Sequence, residues 1–342
     1  MDYQRSSIIF MMIEHPMYMF NDEIARAFRQ IPVPERFNDH GLGVKVVKFA
    51  TQEFSDQTSY IDSFIRQSRL GSRAVAKWFS WDKATGKFNM SLIQERGYYN
   101  ATELDRELAA ANIRGMAVLA DAGENLIPDT YLIMNDICYT GSYSNKEREQ
   151  HTVGQRHAFS VTITSYIYQL DWDEEALYDF YYTCYDGKTD FVNEATKYGF
   201  TFRAKVETEY SESDNRISQL ALIERVVARC LDINLVKLQR AYPDFRVKSL
   251  VRSGDPFLAD VGMKEGVTVD CLFEVLEQSE DEHGVRHFER VGLVRPIKGR
   301  IWDNRYGIEP DSLANAPKFT EFEVVKGSDF YPGMLIRELE GK

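Results

Sequence analysis

The chain has 342 residues, of which 44% are hydrophobic and 27% charged, and its formal net charge is -12 at pH 7. These proportions are typical of folded globular proteins and exclude a largely disordered chain, and the length predicts two or three domains. The acidic balance, without a dense basic patch, argues against nucleic acid and anionic lipid as direct partners.

Residues 1–140 are predicted to form the first domain, a mixed α/β layer. The apolar run at residues 7–13 predicts a buried strand, and apolar side chains at helical spacing predict helices over residues 21–30 and 59–69. Because an Asn side chain accepts hydrogen bonds from the free amides of a first helical turn, we expect Asn21 to cap the first helix.

Two further apolar stretches, at residues 74–81 and 88–94, flank a turn-rich loop at residues 82–86. A glycine in that loop can supply the positive φ that tight turns need, so the pattern predicts a β-hairpin. A helix over residues 115–126 and a strand over residues 130–139 complete the predicted domain.

Residues 141–243 are predicted to extend the sheet and to add a long amphipathic helix that packs with the first domain. Alternation of apolar and polar side chains predicts strands over residues 158–170 and 200–210. An apolar stripe predicts the helix over residues 215–238, and Pro243 ends that unit.

A tyrosine-rich segment lies between these two strands. Its candidate interaction residues are Tyr178, Tyr181, Tyr182 and Tyr185. Each ring offers a large apolar face with a polar tip, so the segment is suited to contact a protein partner or a sugar. The alternative is that these rings pack into the core with their hydroxyls at the surface.

Acidic residues precede the tyrosines. Asp171 and Asp173, together with Asp303 later in the chain, are the side chains that could serve a hydrolase as acid or base. Acids at a strand-to-helix junction more often cap the helix and complement its dipole. No catalytic residue is therefore predicted.

Residues 244–342 are predicted to form a small β-barrel module of the SH3-like kind. Gly262 and Gly266 bracket a short turn ahead of the alternating strand at residues 271–276, and residues 331–336 form an apolar closing segment. A glycine turn that feeds such a strand is typical of small barrels and sandwiches. The chain as a whole is predicted to have an α+β fold.

A second candidate interaction surface lies in this module, at Trp302, Asp303, Asn304 and Arg305. An aromatic platform beside an acceptor, an amide and a guanidinium is suited to a polar ligand. The alternative is a turn in which Asp303 and Asn304 bond nearby backbone while Arg305 pairs with Asp303.

No metal or cofactor is expected. His283 and His287 have the spacing of metal ligands, but Gly284 and the acids around them place the pair in a hairpin rather than on one helix face. The cysteines lie far apart in apolar surroundings, where small buried side chains are expected. They are Cys138, Cys184, Cys230 and Cys271.

A set of glycine and apolar positions recurs across residues 246–339. The positions are Gly262, Gly266, Phe273 and Val275, then Val291-Gly292-Leu293-Val294, and last Phe330-Tyr331-Pro332-Gly333-Met334-Leu335-Ile336. This pattern resembles the C-terminal β-barrel modules of bacterial cell-envelope assembly proteins, notably flagellar assembly protein T and relatives of the curli secretion channel.

The resemblance implies a non-catalytic cell-envelope protein, a scaffold or an assembly and secretion factor that acts through protein partners. A homo-oligomer is compatible with that role. Residues 1–5 lack the features of an export signal. The expected location is therefore the periplasm or envelope if a signal has been removed, and otherwise the cytoplasm. Membrane contact is expected only indirectly, or through an anchor outside this sequence.

Two alternatives remain open at this point. The first is a carbohydrate-binding or small-ligand-binding protein that uses Tyr178, Tyr182 and Trp302 as stacking platforms. The second is a hydrolase that uses an acid and base pair from the aspartates named above.

Overall fold

The structure is a computed structural model in which the chain forms two compact units. The sheet unit contains Met1–Tyr139 and Thr162–Glu207, and the barrel unit contains Thr140–Val161 and Thr208–Lys342. The structure describes residues 6–48, 56–100, 109–110, 115–141, 158–185, 190–194, 197–246, 248–280, 286–308 and 318–339.

Helices and strands both contribute substantially, which confirms the α+β class. The α-helices are α1 (Asn21–Gln30), α2 (Gln57–Gln67), α3 (Leu70–Trp78), α4 (Ser91–Asn100), α5 (Gly115–Glu124), α6 (Glu174–Asp179), α7 (Phe191–Glu194) and α8 (Gln219–Ala241). The strands are β1 (Ser7–Glu14), β2 (Asn38–Asp39), β3 (Val46–Lys48), β4 (Thr130–Tyr139), β5 (Ala158–Leu170), β6 (Phe200–Ser213), β7 (Ser249–Gly254), β8 (Phe257–Ala259), β9 (Phe273–Glu280), β10 (Arg286–Pro296), β11 (Thr320–Lys326) and β12 (Leu335–Glu338). A π-helix covers Phe180–Cys184, and short 3-10 helices cover Pro243–Phe245 and Met263–Glu265.

The first sheet has the strand order β2-β1-β4-β5-β6, with β3 also paired to β1. Strand β1 runs parallel to β2, β3 and β4. A parallel strand inside such a sheet is covered on both faces, which explains why β1 is an almost unbroken apolar run. Ile9, Met11 and Ile13 enter the main core, while Phe10 stacks on Phe28 of α1 with 5.2 Å between ring centroids.

Strand β5 runs antiparallel to β4. Residues later in β5 bond residues earlier in the β4 segment, as two side-chain hydrogen bonds show. The hydroxyl of Ser165 donates to Asn135 Oδ1 at 2.7 Å, and the Gln169 amide donates to the Pro128 carbonyl at 3.0 Å. The end of β5 therefore lies beside the start of β4, and helix α6 follows from that end of the sheet.

The hairpin predicted at residues 74–94 is wrong, because both of its arms lie largely in helices, α3 and α4. In α3 the buried Leu70, Ala74 and Trp78 recur at the helical spacing, and this periodicity overrides the strand preference of Val and Trp. The turn between the arms is present. Asp82 accepts from the Ala84 amide at 2.9 Å, and Gly86 has a φ of 69°.

The cap predicted for α1 is also wrong. The helix begins at Asn21, but its capping position is Phe20, which has a φ of 58° and no side-chain cap. The side-chain Oδ1 of Asn21 instead accepts from the His15 backbone amide at 2.9 Å, and so holds the preceding turn.

The barrel unit contains a closed barrel in the order β10-β11-β8-β7-β12-β9, one of the two folds, barrel or sandwich, that the glycine and strand pattern indicated. Its interior is apolar and includes Val251, Phe257, Phe273, Val275 and Phe322. The short turn before β9 ends at Gly266, whose φ of 74° favours glycine.

Helix α8 is the longest of the described helices, and its buried face confirms the predicted amphipathic stripe. Ser218 caps it by accepting from the Ala221 amide at 3.2 Å. Its buried side chains include Ile223, Val226 and Leu231. Within the barrel unit, Arg240 of this helix forms an ion pair of 2.8 Å with Glu338 of β12.

Candidate functional site

Helix α6 and the π-helix that follows it position the four tyrosines predicted to form one surface. Asp173 caps α6 by accepting from the Ala176 amide at 2.8 Å, as the capping interpretation of this acid predicted. The chain then widens into a π turn, in which the Tyr185 amide donates to the Phe180 carbonyl at 3.0 Å. A π turn changes the angle between successive side chains, and such turns often occur at functional sites.

Two of the four tyrosines take part in packing. The Tyr181 ring lies edge-on to Phe79 with 5.9 Å between centroids, and its hydroxyl donates to a Glu124 carboxylate oxygen. Burial, followed by the bond to Glu124, raises the pKa of Tyr181. The half-buried Tyr185 stacks on Phe88, with 6.1 Å between centroids.

The other two tyrosines face solvent. Tyr178 is 69% exposed and Tyr182 is 79% exposed. Their rings are nearly parallel, with an angle of 8° and 5.8 Å between centroids. We call this pair the tyrosine face. It is the most exposed part of the predicted tyrosine surface, since Tyr181 is 38% exposed and Tyr185 is half-buried.

A cleft of about 420 Å³ opens beside α6 and belongs entirely to the sheet unit. Acidic and aromatic side chains line much of it, including Asp171, Trp172, Glu175, Asp179 and Tyr198. Glu175 and Asp179 lie on the helix that carries Tyr178, so the tyrosine face and the cleft share one strongly acidic helix.

The two aspartates considered for acid and base chemistry are both engaged at this cleft. Asp171 accepts from the Thr201 hydroxyl at 2.5 Å, and Asp173 is the helix cap. Both carboxylates therefore have a structural role, Asp171 in joining two strands and Asp173 in capping a helix.

The second predicted surface, in the barrel unit, is used internally. Asn304 accepts from the Lys264 amide at 2.8 Å and donates to Glu265 at 2.7 Å, and the Trp302 carbonyl accepts from the Met263 amide at 2.9 Å. These bonds tie residues 302–304 to the 3-10 turn before β9. The segment therefore has a role in holding the barrel loops together.

Asp303 and Arg305 form a two-pronged pair within the same segment. The guanidinium donates to both carboxylate oxygens, at 2.8 and 2.7 Å. Hydrogen bonding from Arg305 lowers the pKa of Asp303, which is opposite to the shift that a general acid requires.

A feature that the sequence interpretation missed lies where β1 ends. Residues 16–19 form an exposed turn, and His15 at its base bonds Asp136 of β4 with 2.7 Å between Nε2 and Oδ1. The Cys138 thiol lies 3.6 Å from the same carboxylate oxygen. Burial first, then the Asp136 charge, raises the pKa of Cys138 to about 12, so this thiol is not a ready nucleophile. The run His-Pro-Met-Tyr-Met-Phe directly after a buried strand was the available signal.

A buried cation was also missed. Arg96 is 4% exposed, and its guanidinium lies 4.3 Å from the Trp78 ring centre and donates to the Ser7 hydroxyl at 2.9 Å. Burial lowers the pKa of Arg96 to about 10. Its contacts come from distant parts of the sequence, so no local pattern indicates it.

Among the described residues, no group of His, Cys, Asp and Glu side chains is arranged to hold a metal ion. His283 lies outside the described residues, so the predicted histidine pair is not placed. The cysteines are free thiols, buried except for the half-buried Cys138. No helix in the described part of the chain has the length and apolar character needed to cross a membrane.

No protein-family model matches the chain, and a search of curated proteins gave no match. The residues of the chain and their geometry are therefore the basis on which a function can be proposed.

Proposed function

We propose that the protein is a non-catalytic scaffold or assembly factor of the bacterial cell envelope that binds a protein partner through the tyrosine face. The observation that carries the proposal is the pair of parallel, solvent-facing rings of Tyr178 and Tyr182 on one helical surface. Tyrosine is enriched at the centres of protein interfaces because it buries a large area with few rotatable bonds.

The charge around these rings indicates the chemistry of the partner. The first turn of α6 carries Glu174 and Glu175. The cleft beside it is lined by four acids, Asp171, Asp173, Glu175 and Asp179, and by two bases, Lys197 and Arg203, of which Lys197 pairs with Asp179. Acids therefore outnumber bases around the tyrosine face. A basic partner complements this field, and Lys or Arg side chains can also lie over exposed tyrosine rings.

The envelope location rests on the resemblance of residues 246–339 to envelope assembly modules. The closed barrel is compatible with the fold that this resemblance implies, and an SH3-like relationship of the barrel is part of the proposal. Fold similarity alone does not define a function, so the partner-binding assignment rests on the tyrosine face.

A small-ligand alternative is favoured by one observation, the cleft beside α6 with Trp172 and Tyr198 in its lining. Aromatic side chains next to carboxylates are common in sugar sites, since sugars offer both apolar faces and hydroxyls. The hydrolase alternative has less support, because Asp173 caps a helix and Asp303 is held by Arg305.

The test is recovery of the tagged full chain from its native cells after separation into cytoplasm, periplasm and membranes. A photo-reactive side chain at position 182 should cross-link to a discrete protein in the envelope fractions. The double variant Tyr178→Ser, Tyr182→Ser, with the reactive group moved to position 175, should lose that product.

The matched control is Val324→Ser, Val325→Ser, which removes two exposed apolar side chains from the barrel unit and should leave the cross-link intact. A soluble cytoplasmic monomer without a cross-linked partner would overturn the proposal. Glycan binding that is lost with Trp172→Ala but retained in the tyrosine variant would favour the ligand alternative.

A further inference from the structure

The turn between β1 and α1 presents unusually exposed apolar side chains. Met17 is 93% exposed, Tyr18 is 50% and Met19 is 46%. We call Pro16, Met17, Tyr18 and Met19 the methionine turn. Neighbouring large apolar side chains held in solvent mark an interaction site more often than a scattered surface residue does, and Met adapts its shape to a partner.

The methionine turn is held in place from both ends. The Tyr18 amide donates to the His15 carbonyl at 2.8 Å, and the two rings stack with 4.6 Å between centroids. His15 is in turn fixed by Asp136 at 2.7 Å through its ring and by Asn21 at 2.9 Å through its amide. A turn that is already ordered loses less conformational entropy on binding.

The surroundings of the turn are acidic. Asp22 and Glu23 lie in the first turn of helix α1, and Glu14 ends β1. Asp136 bonds the His15 ring that stacks on Tyr18. The nearby base Lys48 already lies 3.5 Å from Glu14. Exposed apolar side chains next to acidic residues complement a basic, amphipathic surface. The same acidic residues repel anionic lipid head groups and nucleic acid.

We propose that the methionine turn is a docking site for a basic amphipathic protein segment. The apolar side chains of that segment cover Met17 and Met19, and its Lys or Arg side chains face Asp22 and Glu23 at the start of α1. This site is independent of the tyrosine face and lies at the other end of the sheet.

The separation of the two surfaces follows from the strand directions. The methionine turn leaves the end of β1, where Ile13 pairs in parallel with Asp136 near the end of β4. Helix α6, which carries Tyr178, follows the end of β5, where Gln169 bonds Pro128 just before the start of β4. One sheet unit can thus hold two partners at opposite ends of its strands, as a scaffold requires.

The experiment uses the full chain carrying Tyr178→Ser and Tyr182→Ser, so that the tyrosine face does not contribute. The probe is a fluorescent, synthetic amphipathic helix made of Leu and Lys, and its dissociation constant is measured by anisotropy. Adding Met17→Ser and Met19→Ser should weaken binding about tenfold or more, since two apolar contacts are lost. Adding Val324→Ser and Val325→Ser should not.

A helix of Leu and Glu in the same arrangement should not bind. Equal binding of the Leu and Lys helix to the methionine and control variants, or equal binding of the acidic helix, would overturn the proposal. Two further results would also overturn it: binding to neutral phosphatidylcholine vesicles, or self-association in sedimentation, that is lost when Met17→Ser and Met19→Ser are added. Those results would assign the turn to a membrane surface or to a second copy of the chain. Because the tyrosine face is absent from every protein tested, failure here leaves the proposed function unaffected.

Discussion

Nδ1 of His40 accepts a hydrogen bond from the Arg96 guanidinium at 2.7 Å, and both side chains are buried in the sheet unit. A neighbouring cation makes a protonated imidazole unfavourable, so His40 is neutral and donates from Nε2 to the Ala74 carbonyl at 3.0 Å. Burial first, and then the Arg96 charge, lowers the pKa of His40 well below its usual value.

The first prediction is that His40 makes the protein sensitive to mild acid. Below about pH 6.5 an unfolded chain binds a proton at this position while the folded chain does not, so stability falls as the pH decreases. Above that pH both states are neutral there and the effect disappears. Urea unfolding of the wild type and of His40→Gln at pH 7.5 and pH 5 measures the change.

The variant should lose less stability than the wild type between these two pH values, because glutamine does not titrate. Carboxylates contribute equally to both proteins and cancel in the comparison. Identical losses in wild type and variant would contradict the buried neutral state of His40.

The second prediction concerns the crossing of helices α4 and α5. A Cβ atom on Gly97 would lie 1.9 Å from the Leu119 carbonyl oxygen, and one on Gly123 would lie 2.0 Å from that of Ile93. The two backbones are therefore in direct contact. Either Gly→Ala change should destabilise the protein by about 2 kcal/mol, since helix separation outweighs the better helix propensity of alanine.

Gly299→Ala is the matched control, because that glycine has a φ of 78° but open space around its Cβ position. It should cost about 1 kcal/mol from backbone strain alone. Chemical denaturation of the three variants checks the order, and a control loss as large as that of Gly97→Ala would argue against close helix contact.

The third prediction is that Cys138 reacts slowly with iodoacetamide although it is half-buried rather than fully buried. Its pKa of about 12 leaves it with little thiolate at pH 8, roughly a thousandfold less than an ordinary thiol. Mass spectrometry of the labelled peptides measures the rate. Asp136→Asn should accelerate labelling, because the nearby negative charge is removed.

Denatured protein provides the reference, since all four thiols are then exposed. If native Cys138 were alkylated as fast as it is in denaturant, the raised pKa would be contradicted.

Much of the fold could be predicted because its signals are local. Strand β4 has the bounds expected from an apolar run placed after Pro128. Glycine turns and alternating strands indicated a small barrel or sandwich, and the structure has a closed barrel. The hairpin at residues 74–94 failed because Val and Trp favour strands, whereas the buried positions of α3 recur at helical spacing.

The candidate site was predictable only in part. The sequence indicated a tyrosine-rich surface, but it did not separate Tyr178 and Tyr182 from Tyr181 and Tyr185, because the π turn alters the spacing that an α-helix would give. The pairing of Arg96 with His40 joins side chains distant in sequence, and no local pattern contains that information.

The fourth prediction separates two neighbours in the predicted Trp302 to Arg305 cluster. Asn304 joins the Lys264 amide at 2.8 Å to the Glu265 carboxylate at 2.7 Å in a partly buried position. Asn304→Ala should therefore cost about 2 kcal/mol, because buried partners lose their hydrogen bonds. Asp303→Asn breaks a more exposed pair with Arg305 and should cost less than about 1 kcal/mol. Thermal unfolding followed through tryptophan fluorescence measures both variants, and the reverse order would mean that this segment serves a ligand rather than the barrel loops.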